Sequence, residues 1–259
     1  MPRFKLVIEY SGSRYSGWQI QKNAKTVAGE IERAVHEATR REAFELYGAG
    51  RTDAGVHALA QVAHLELYTD LPPQTLRTRV NDALPADIYV RRIDKVAHRF
   101  HARHDAEARS YLYQISRRKT AFFKPCVWWI REPLDVARMR EAARPFVGMQ
   151  NYASFSADEP GEQSTRVLVD RLEIVEDGDL VLVRIVGSHF LWRMVRRIVG
   201  VLAAVGRGEL TAAQAGGFLE ERSDRPATLT APASGLFLEG VYYKGDEGPG
   251  PLRAIVSIS

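Results

Sequence analysis

The chain reads as an α+β protein made of two similar units. Three observations predict this. Over the first half, apolar runs of strand character and segments of helical period follow in the order strand, helix, strand, strand, helix, strand. Elements of similar length recur after residue 105, although the residues themselves do not repeat. The 259 residues are enough to bury a sizeable core, as one large domain or two. This pattern divides the chain into an N-terminal unit, residues 1–104, and a C-terminal unit, residues 105–259.

Phe4 to Tyr10 is the first strand, and Ser11-Gly12-Ser13-Arg14 turns the chain. An aromatic and amide-rich loop follows, Tyr15 to Gln21. Thr26 is placed to cap a helix whose apolar residues Val27, Ile31, Ala34, Val35 and Ala38 share one face. Ala43 to Tyr47 and Ala60 to Leu67 are strands. Leu71-Pro72-Pro73 opens a second helix with Leu76, Val80 and Leu84 on one side, and Ile88 to Val96 is the next strand.

Between the strands ending at Tyr47 and beginning at Ala60 lies Gly48-Ala49-Gly50-Arg51-Thr52-Asp53-Ala54-Gly55-Val56-His57. Glycine at this density means a sharply turning backbone or one that lets another group come close. The loop displays Arg51 and Asp53 from a rigid base, which is where binding and catalytic residues concentrate. The same residues also make an ordinary surface turn, with Asp53 capping backbone and Arg51 in water, and the local pattern does not choose. No Lys-Ser/Thr follows the glycines, so this is not a phosphate-binding P-loop, and it is not the dinucleotide fingerprint at a helix start. Asp53 and His57 are spaced as metal ligands on a helix, but no third ligand stands near.

From Ala97 to Tyr113 the chain becomes basic and aromatic, with His98, Arg99, Phe100, His101, Arg103, His104, Arg109, Tyr111 and Tyr113. Basic side chains beside rings suit a groove for unstacked RNA, and equally a basic turn followed by a strand with its tyrosines in the core. Residues 134 to 147 read as a helix and Asn151 to Pro160 as a polar loop. Val167 to Val175 and Leu180 to Val186 form a hairpin about Gly178. Phe190 to Val205 is a core helix, with Arg193, Arg196 and Arg197 in its N-terminal half. Arginine there opposes the helix dipole and calls for an anion, a phosphate or a carboxylate. A helix near Ala212 to Glu221 and a strand from Leu236 to Tyr243 follow, and the Gly/Pro-rich tail after Gly245 is expected to be loose.

Composition bounds the function. With 36 basic and 32 acidic residues the formal charge is +4, which permits a polyanionic partner without requiring one. Cys126 is the sole cysteine, so no internal disulfide forms. Its apolar neighbours mark it as a buried structural thiol. Neither a signal-type N-terminus nor a membrane-length apolar stretch is present, which predicts a soluble, cytoplasmic protein.

The motifs together resemble one family. Gly50-Arg51-Thr52-Asp53-Ala54-Gly55-Val56-His57-Ala58 resembles the signature of the tRNA pseudouridine synthase A family. Glu9-Tyr10-Ser11-Gly12, Gly17-Trp18-Gln19, Asn81 with Leu84-Pro85, Phe100-His101-Ala102-Arg103, Arg109-Ser110-Tyr111, Met194-Val195-Arg196 with Gly200, and Ala231-Pro232 with Gly235-Leu236 resemble further blocks in the family's order. The resemblance covers nearly the whole chain. It departs at Ala28, where the family often has glutamine, on a helix rather than in the loop.

The resemblance implies two α/β units forming an extended, mainly antiparallel sheet flanked by helices, with the active-site cleft between them. It implies isomerisation of uridine to pseudouridine at positions 38, 39 and 40 of the tRNA anticodon arm, by a homodimer and with no cofactor. Asp53 corresponds to the family's essential aspartate, as nucleophile at C1′ of the sugar or as base at C2′. Arg196 corresponds to the arginine that keeps that carboxylate ionised. Arg51 corresponds to the arginine that helps draw out the target uridine. Tyr111 corresponds to the tyrosine that packs on the flipped uracil. His101, Arg103, Arg109 and Arg118 follow as candidates for contact with the RNA backbone, equally readable as surface residues, and Leu236 as a substrate contact. Two rival classes remain. One is an RNA-binding protein without catalysis, against which Asp53, Arg51, Tyr111 and Arg196 stand together. The other is a glycosidic hydrolase, which needs a second carboxylate that only Glu107 poorly supplies.

Overall fold

The computed structural model describes residues 1–158, 161 and 164–256. The chain forms two compact units, Met1–Glu107 with Phe237–Gly248 and Ala108–Leu236 with Pro249–Ser259. Both are mixed α+β, with strands paired mainly antiparallel.

The first unit starts with β1 (Arg3–Tyr10), in which Phe4, Leu6, Ile8 and Tyr10 alternate inward. After it come α1 (Val27–Thr39), β2 (Phe44–Gly48), β3 (His57–Leu67), α2 (Pro73–Ala83) and β4 (Ile88–Val96). β1 lies between β3 and β4, antiparallel to both, and β2 pairs with the far end of β3. The Thr26 side chain caps α1 by accepting from Gly29 N–H. The N–H groups of Val27 and Ala28, which have no partner inside a helix, donate to the carbonyls of Gly17 and Trp18 at 3.1 Å each. The start of α1 is thereby tied to the aromatic loop before it.

The second unit contains β5 (Ala106–Ser116), the two-residue β6 (Trp128–Trp129), α3 (Val136–Ala143), β7 (Gly148–Asn151), β8 (Arg166–Asp177), β9 (Leu180–Gly187), α4 (Met194–Gly206), α5 (Ala212–Glu220) and the short α6 (Arg225–Thr228). β9 pairs antiparallel with β5 and β8, β7 with β8, and β6 runs parallel to β5. The chain then returns to the first unit as β10 (Leu236–Tyr243), parallel to β3 with Phe237 opposite His57.

Several expected elements change. The helix over 134–147 stops at Ala143, because Pro145 cannot continue it. A 3₁₀ turn, Arg144–Phe146, follows. The polar loop over 151–160 begins instead with the last residue of β7 and a 3₁₀ turn, Ala153–Phe155, and its last two residues lie outside the described ones. The helix from Phe190 starts only at Met194, after Arg193 in the left-handed region at φ 61°. Cys126 is half-buried, and burial pushes its thiol pKa up. No helix among the described residues is long and apolar enough to cross a membrane.

The tail is the largest departure. β9 is buried along its whole length, so both of its faces are covered. Leu252, Ala254, Ile255 and Val256 pack on a cluster of Leu112, Val127, Leu180 and Leu182. Ile255 N–H donates to the Gln114 Oε1 at 2.7 Å. Within that face Arg184 is only 2% exposed. Its guanidinium is satisfied by the Gly250 carbonyl at 2.9 Å and by Glu173 at 3.4 Å. Breaking the partners of a buried charge costs several kcal/mol. Deleting the chain from Pro249 on should therefore lower stability by at least about 3 kcal/mol, read from urea midpoints at constant m-value. A truncated chain as stable as the full one would show the tail to be passive.

Candidate active site

The glycine loop joins β2 to β3. Its entry is fixed by Ala49 N–H to the Val62 carbonyl at 2.7 Å, and the Gly50 carbonyl accepts from the buried Gln61 side chain at 3.0 Å. Thr52 is buried, with its hydroxyl 2.8 Å from that of Tyr10 and its carbonyl accepting from Trp18 N–H at 3.1 Å. The next residue, Asp53, is half-buried. Its carbonyl accepts from Val56 N–H at 3.1 Å across a turn in which Gly55 has φ 80°. Arg51 is exposed. The loop thus presents a carboxylate and a guanidinium from a backbone held on several sides.

The hold comes from the segment after β1. Gly17 sits at φ 94°, and a Cβ there would lie 2.6 Å from the Thr52 carbonyl oxygen and 3.2 Å from the Asp53 carbonyl carbon. Only glycine permits this approach. The Tyr15 carbonyl accepts from Gly55 N–H at 3.4 Å, and the Tyr15 hydroxyl donates to Asp87 between α2 and β4. Burial and this carboxylate raise the Tyr15 pKa, so the phenol stays protonated as a donor. His57 is not arranged as a ligand beside Asp53. Its Nδ1 accepts from Gly12 N–H at 3.2 Å and its ring stacks on Phe237 at 4.7 Å. Among the described residues no group of three or more His, Cys, Asp or Glu side chains is arranged to hold a metal ion.

His101 and Arg103 lie in the segment after β4, with Arg103 exposed. The His101 Nδ1 accepts from the N–H groups of Arg103 and His104, at 3.2 Å each. That places its proton on Nε2. Its ring is edge-on to His64 at 4.7 Å, and His64 stacks on Tyr47 at 5.2 Å. His64 is 1% exposed and its Nδ1 accepts from Ala102 N–H at 3.1 Å. Burial, then the charges of Arg3 and His101, push its pKa down to about 4, against the opposing pull of Glu66 and Asp105.

In the second unit Arg109 and Tyr111 stand two apart on β5, on one face, opposite Gly187 and Ile185. Arg109 donates to the Ser188 carbonyl at 2.8 Å. The half-buried Tyr111 ring meets Phe190 edge-on, with centroids 5.2 Å apart and planes at 87°. Tyr113 is fully buried and donates to the Pro232 carbonyl at 2.8 Å. It is therefore a core tyrosine. Leu236 is buried at the start of β10.

Arg196 is the third residue of α4. Its Nε donates to the Ala231 carbonyl at 2.8 Å, and Ala231 N–H donates back to the Arg196 carbonyl at 3.0 Å. Gly200 makes the pair reachable, since a Cβ there would fall 1.7 Å from the Leu229 carbonyl oxygen. Arg197 donates to the carbonyls of Ser154 and Ser156. Arg118 is in an ion pair with Asp179 at 3.1 Å.

Residues 6–105 and 142–244 match the model of the tRNA pseudouridine synthase family. This chain belongs to the tRNA pseudouridine synthase family. A tRNA pseudouridine synthase A from Pseudothermotoga lettingae is 36% identical over 246 residues, covering 94% of this chain and 100% of the relative. One from Brucella ovis is 40% identical over 248 residues, covering 94% and 98%. A solved Cbf5–Nop10–Gar1 complex aligns at 12% identity and a TM-score of 0.36, over 77% of this chain and 45% of that chain.

As a tRNA pseudouridine synthase the chain is an isomerase that converts uridine to pseudouridine in tRNA. The sequence reading named Asp53, Arg51, Tyr111 and Arg196 but missed what seats them. Phe190 against Tyr111 and Ala231 against Arg196 left only faint signals, as members of quoted or neighbouring motifs. Tyr15 showed only as the first residue of the aromatic loop before α1, and Asp87 left no signal.

Two outcomes follow for this synthase. Replacing Gly17 with alanine forces a side chain onto the Thr52 carbonyl at positive φ. It should cost about 2 kcal/mol or more and depress product formation, read by urea unfolding and pseudouridine mapping. Normal stability and activity would mean that the loop is not held this way. His64 supplies the second. Its folded pKa lies below the unfolded value of about 6.5, so the unfolded chain takes up a proton first as pH falls. The stability from a neutral His64 is present above pH 6.5 and lost progressively toward pH 4, by up to about 3 kcal/mol. His64→Asn should be less stable at pH 7 and show a flatter pH dependence. An unchanged slope would remove His64 as the cause.

Proposed function

We propose that this synthase acts on uridines 38, 39 and 40 of the tRNA anticodon arm, with Asp53 as the essential catalytic residue, as a cytoplasmic homodimer. The observation that carries the reading is the Asp53 loop. Its carboxylate is half-buried, on a backbone locked by Trp18, Tyr15 and Gly17. Such a group meets a substrate with little reorganisation.

In one route the Asp53 carboxylate attacks C1′ and the N1–C1′ bond breaks, with uracil leaving as its anion. The uracil turns, C5 bonds to C1′ and the carboxylate is released. The C5 proton then goes to a base and N1 gains a proton. In the other route Asp53 takes the C2′ proton as uracil leaves, giving a glycal. C5 then adds back and C2′ is reprotonated. Both routes conserve atoms and need an ionised carboxylate. The family pattern assigns Arg196, fixed through its Nε, as the cation for that carboxylate. Tyr111, with its ring turned by Phe190, packs on the flipped uracil and assists removal of the C5 proton. Arg51, exposed on the loop, holds the phosphate of the extruded nucleotide. His101, Arg103 and Arg109 contact the RNA backbone, and Leu236 lines the substrate site.

The test compares wild type with Asp53→Asn on an unmodified tRNA transcript, mapping pseudouridine by base-specific chemistry and measuring binding in parallel. The variant should bind within a few-fold of wild type and form product at least about a thousandfold more slowly. Activity retained in the variant would assign the chemistry to another residue, and free uracil would mark a hydrolase. A wild type that binds tRNA and makes no product would be an RNA-binding module.

A further inference from the structure

The connection from β9 to α4, residues 188–193, carries a feature that the isomerisation does not use. Trp192 is 50% exposed, unusual for so large an apolar ring. Yet its backbone is fixed at both ends. Its N–H donates to Asp158 at 3.1 Å and its carbonyl accepts from Ala157 N–H at 2.9 Å. Arg193 follows in the left-handed region at φ 61°, a conformation that costs a non-glycine residue about 1 kcal/mol or more. It sets the guanidinium over the indole, 5.0 Å from the ring centroid. His189, also exposed, lies three residues earlier. Between His189 and Trp192, Phe190 meets the Tyr111 ring edge-on, and just after Arg193 the helix α4 begins at Met194, with Arg196 its third residue.

A rigid, half-exposed indole beside a guanidinium matches the chemistry of an unpaired nucleotide. The ring takes the base and the cation takes the phosphate. Resting on the tRNA isomerase reading, we propose that Trp192 and Arg193 form a stacking site for an unpaired nucleotide flanking the target uridine. The site selects RNA whose neighbouring base is unstacked, and it lies on the connection that seats Tyr111.

The experiment measures binding of an unmodified anticodon stem-loop to the full chain, over a range of salt, for wild type, Trp192→Ala, Trp192→Phe and Arg193→Ala. Trp192→Ala should weaken binding about tenfold with the salt slope retained, and Trp192→Phe should recover most of the loss. Arg193→Ala should weaken binding and lower the slope of log K against log salt by about one. Indole fluorescence of wild type should be quenched on binding, and less so in Trp192→Phe. Binding by Trp192→Ala within twofold of wild type overturns the stacking site. So does a loss that tracks a change in oligomeric state by sedimentation, which would make Trp192 a protein contact. Either result leaves the isomerase reading standing, provided that wild type converts tRNA. A wild type that makes no pseudouridine removes both.

Discussion

A carboxylate displayed on a glycine-rich loop has to be held by something other than the loop. Glycine gives the backbone the freedom to make the turn and with it the entropy to leave it. Here the restraint is a main-chain contact, Trp18 N–H on the Thr52 carbonyl, reached because Gly17 has no side chain to keep the two segments apart. The residue next in sequence is Asp53. The Trp18 carbonyl, in turn, takes an N–H from the first turn of α1, and the Tyr15 ring is pinned to Asp87. β1, α1 and the corner before β4 therefore all bear on one peptide beside the carboxylate. The cost of ordering the loop is spread over the packing of the first unit rather than drawn from substrate binding.

The second unit solves the same problem in another way. Arg196 lies on a helix, so its backbone needs no help, but a long side chain has rotamer freedom that must be removed. The reciprocal bonds with Ala231 remove it, and they exist because Gly200 lets the Leu229–Ala231 segment press against α4. In both units a glycine allows one stretch of backbone to touch another: in the first the contact holds the peptide before Asp53, and in the second it orients the Arg196 side chain. Each acts through the residue it lets its neighbours hold.

What was legible in the sequence follows from what leaves a periodic trace. β1, α1 and the β8–β9 hairpin declare themselves through alternation, helical spacing, a threonine cap and a Gly178 turn. β6 and β7 do not, because strands of two and four residues are decided by the partner they meet. The start of α4 was misplaced because the apolar pattern runs on through Leu191, while the break is a single φ angle at Arg193. Composition misread the tail as well. Glycine and proline argue for looseness, but Leu252 and Ile255 cover a face of β9, and the Gly250 carbonyl meets the buried Arg184. At the site the side chains that do chemistry carried a motif. Their braces are main-chain hydrogen bonds that almost any residue can make.

The arginines at the start of α4 show how a charge problem left by the fold bears on function. Three cations at a helix N-terminus face the positive end of its dipole. Arg197 is met by the carbonyls of Ser154 and Ser156, which are dipoles rather than charges. Burial and then the neighbouring Arg193 lower its pKa, while Asp224 and Asp158 oppose part of that effect. Carbonyls satisfy the geometry of a guanidinium without cancelling its field. Asp158 and Asp224 offset part of that field, so the start of α4 is met by dipoles and by partial charge compensation together. In the complex proposed above, a phosphate beside Arg193 would add the remaining negative charge at the positive end of the dipole, so binding there would reinforce the helix start rather than compete with it.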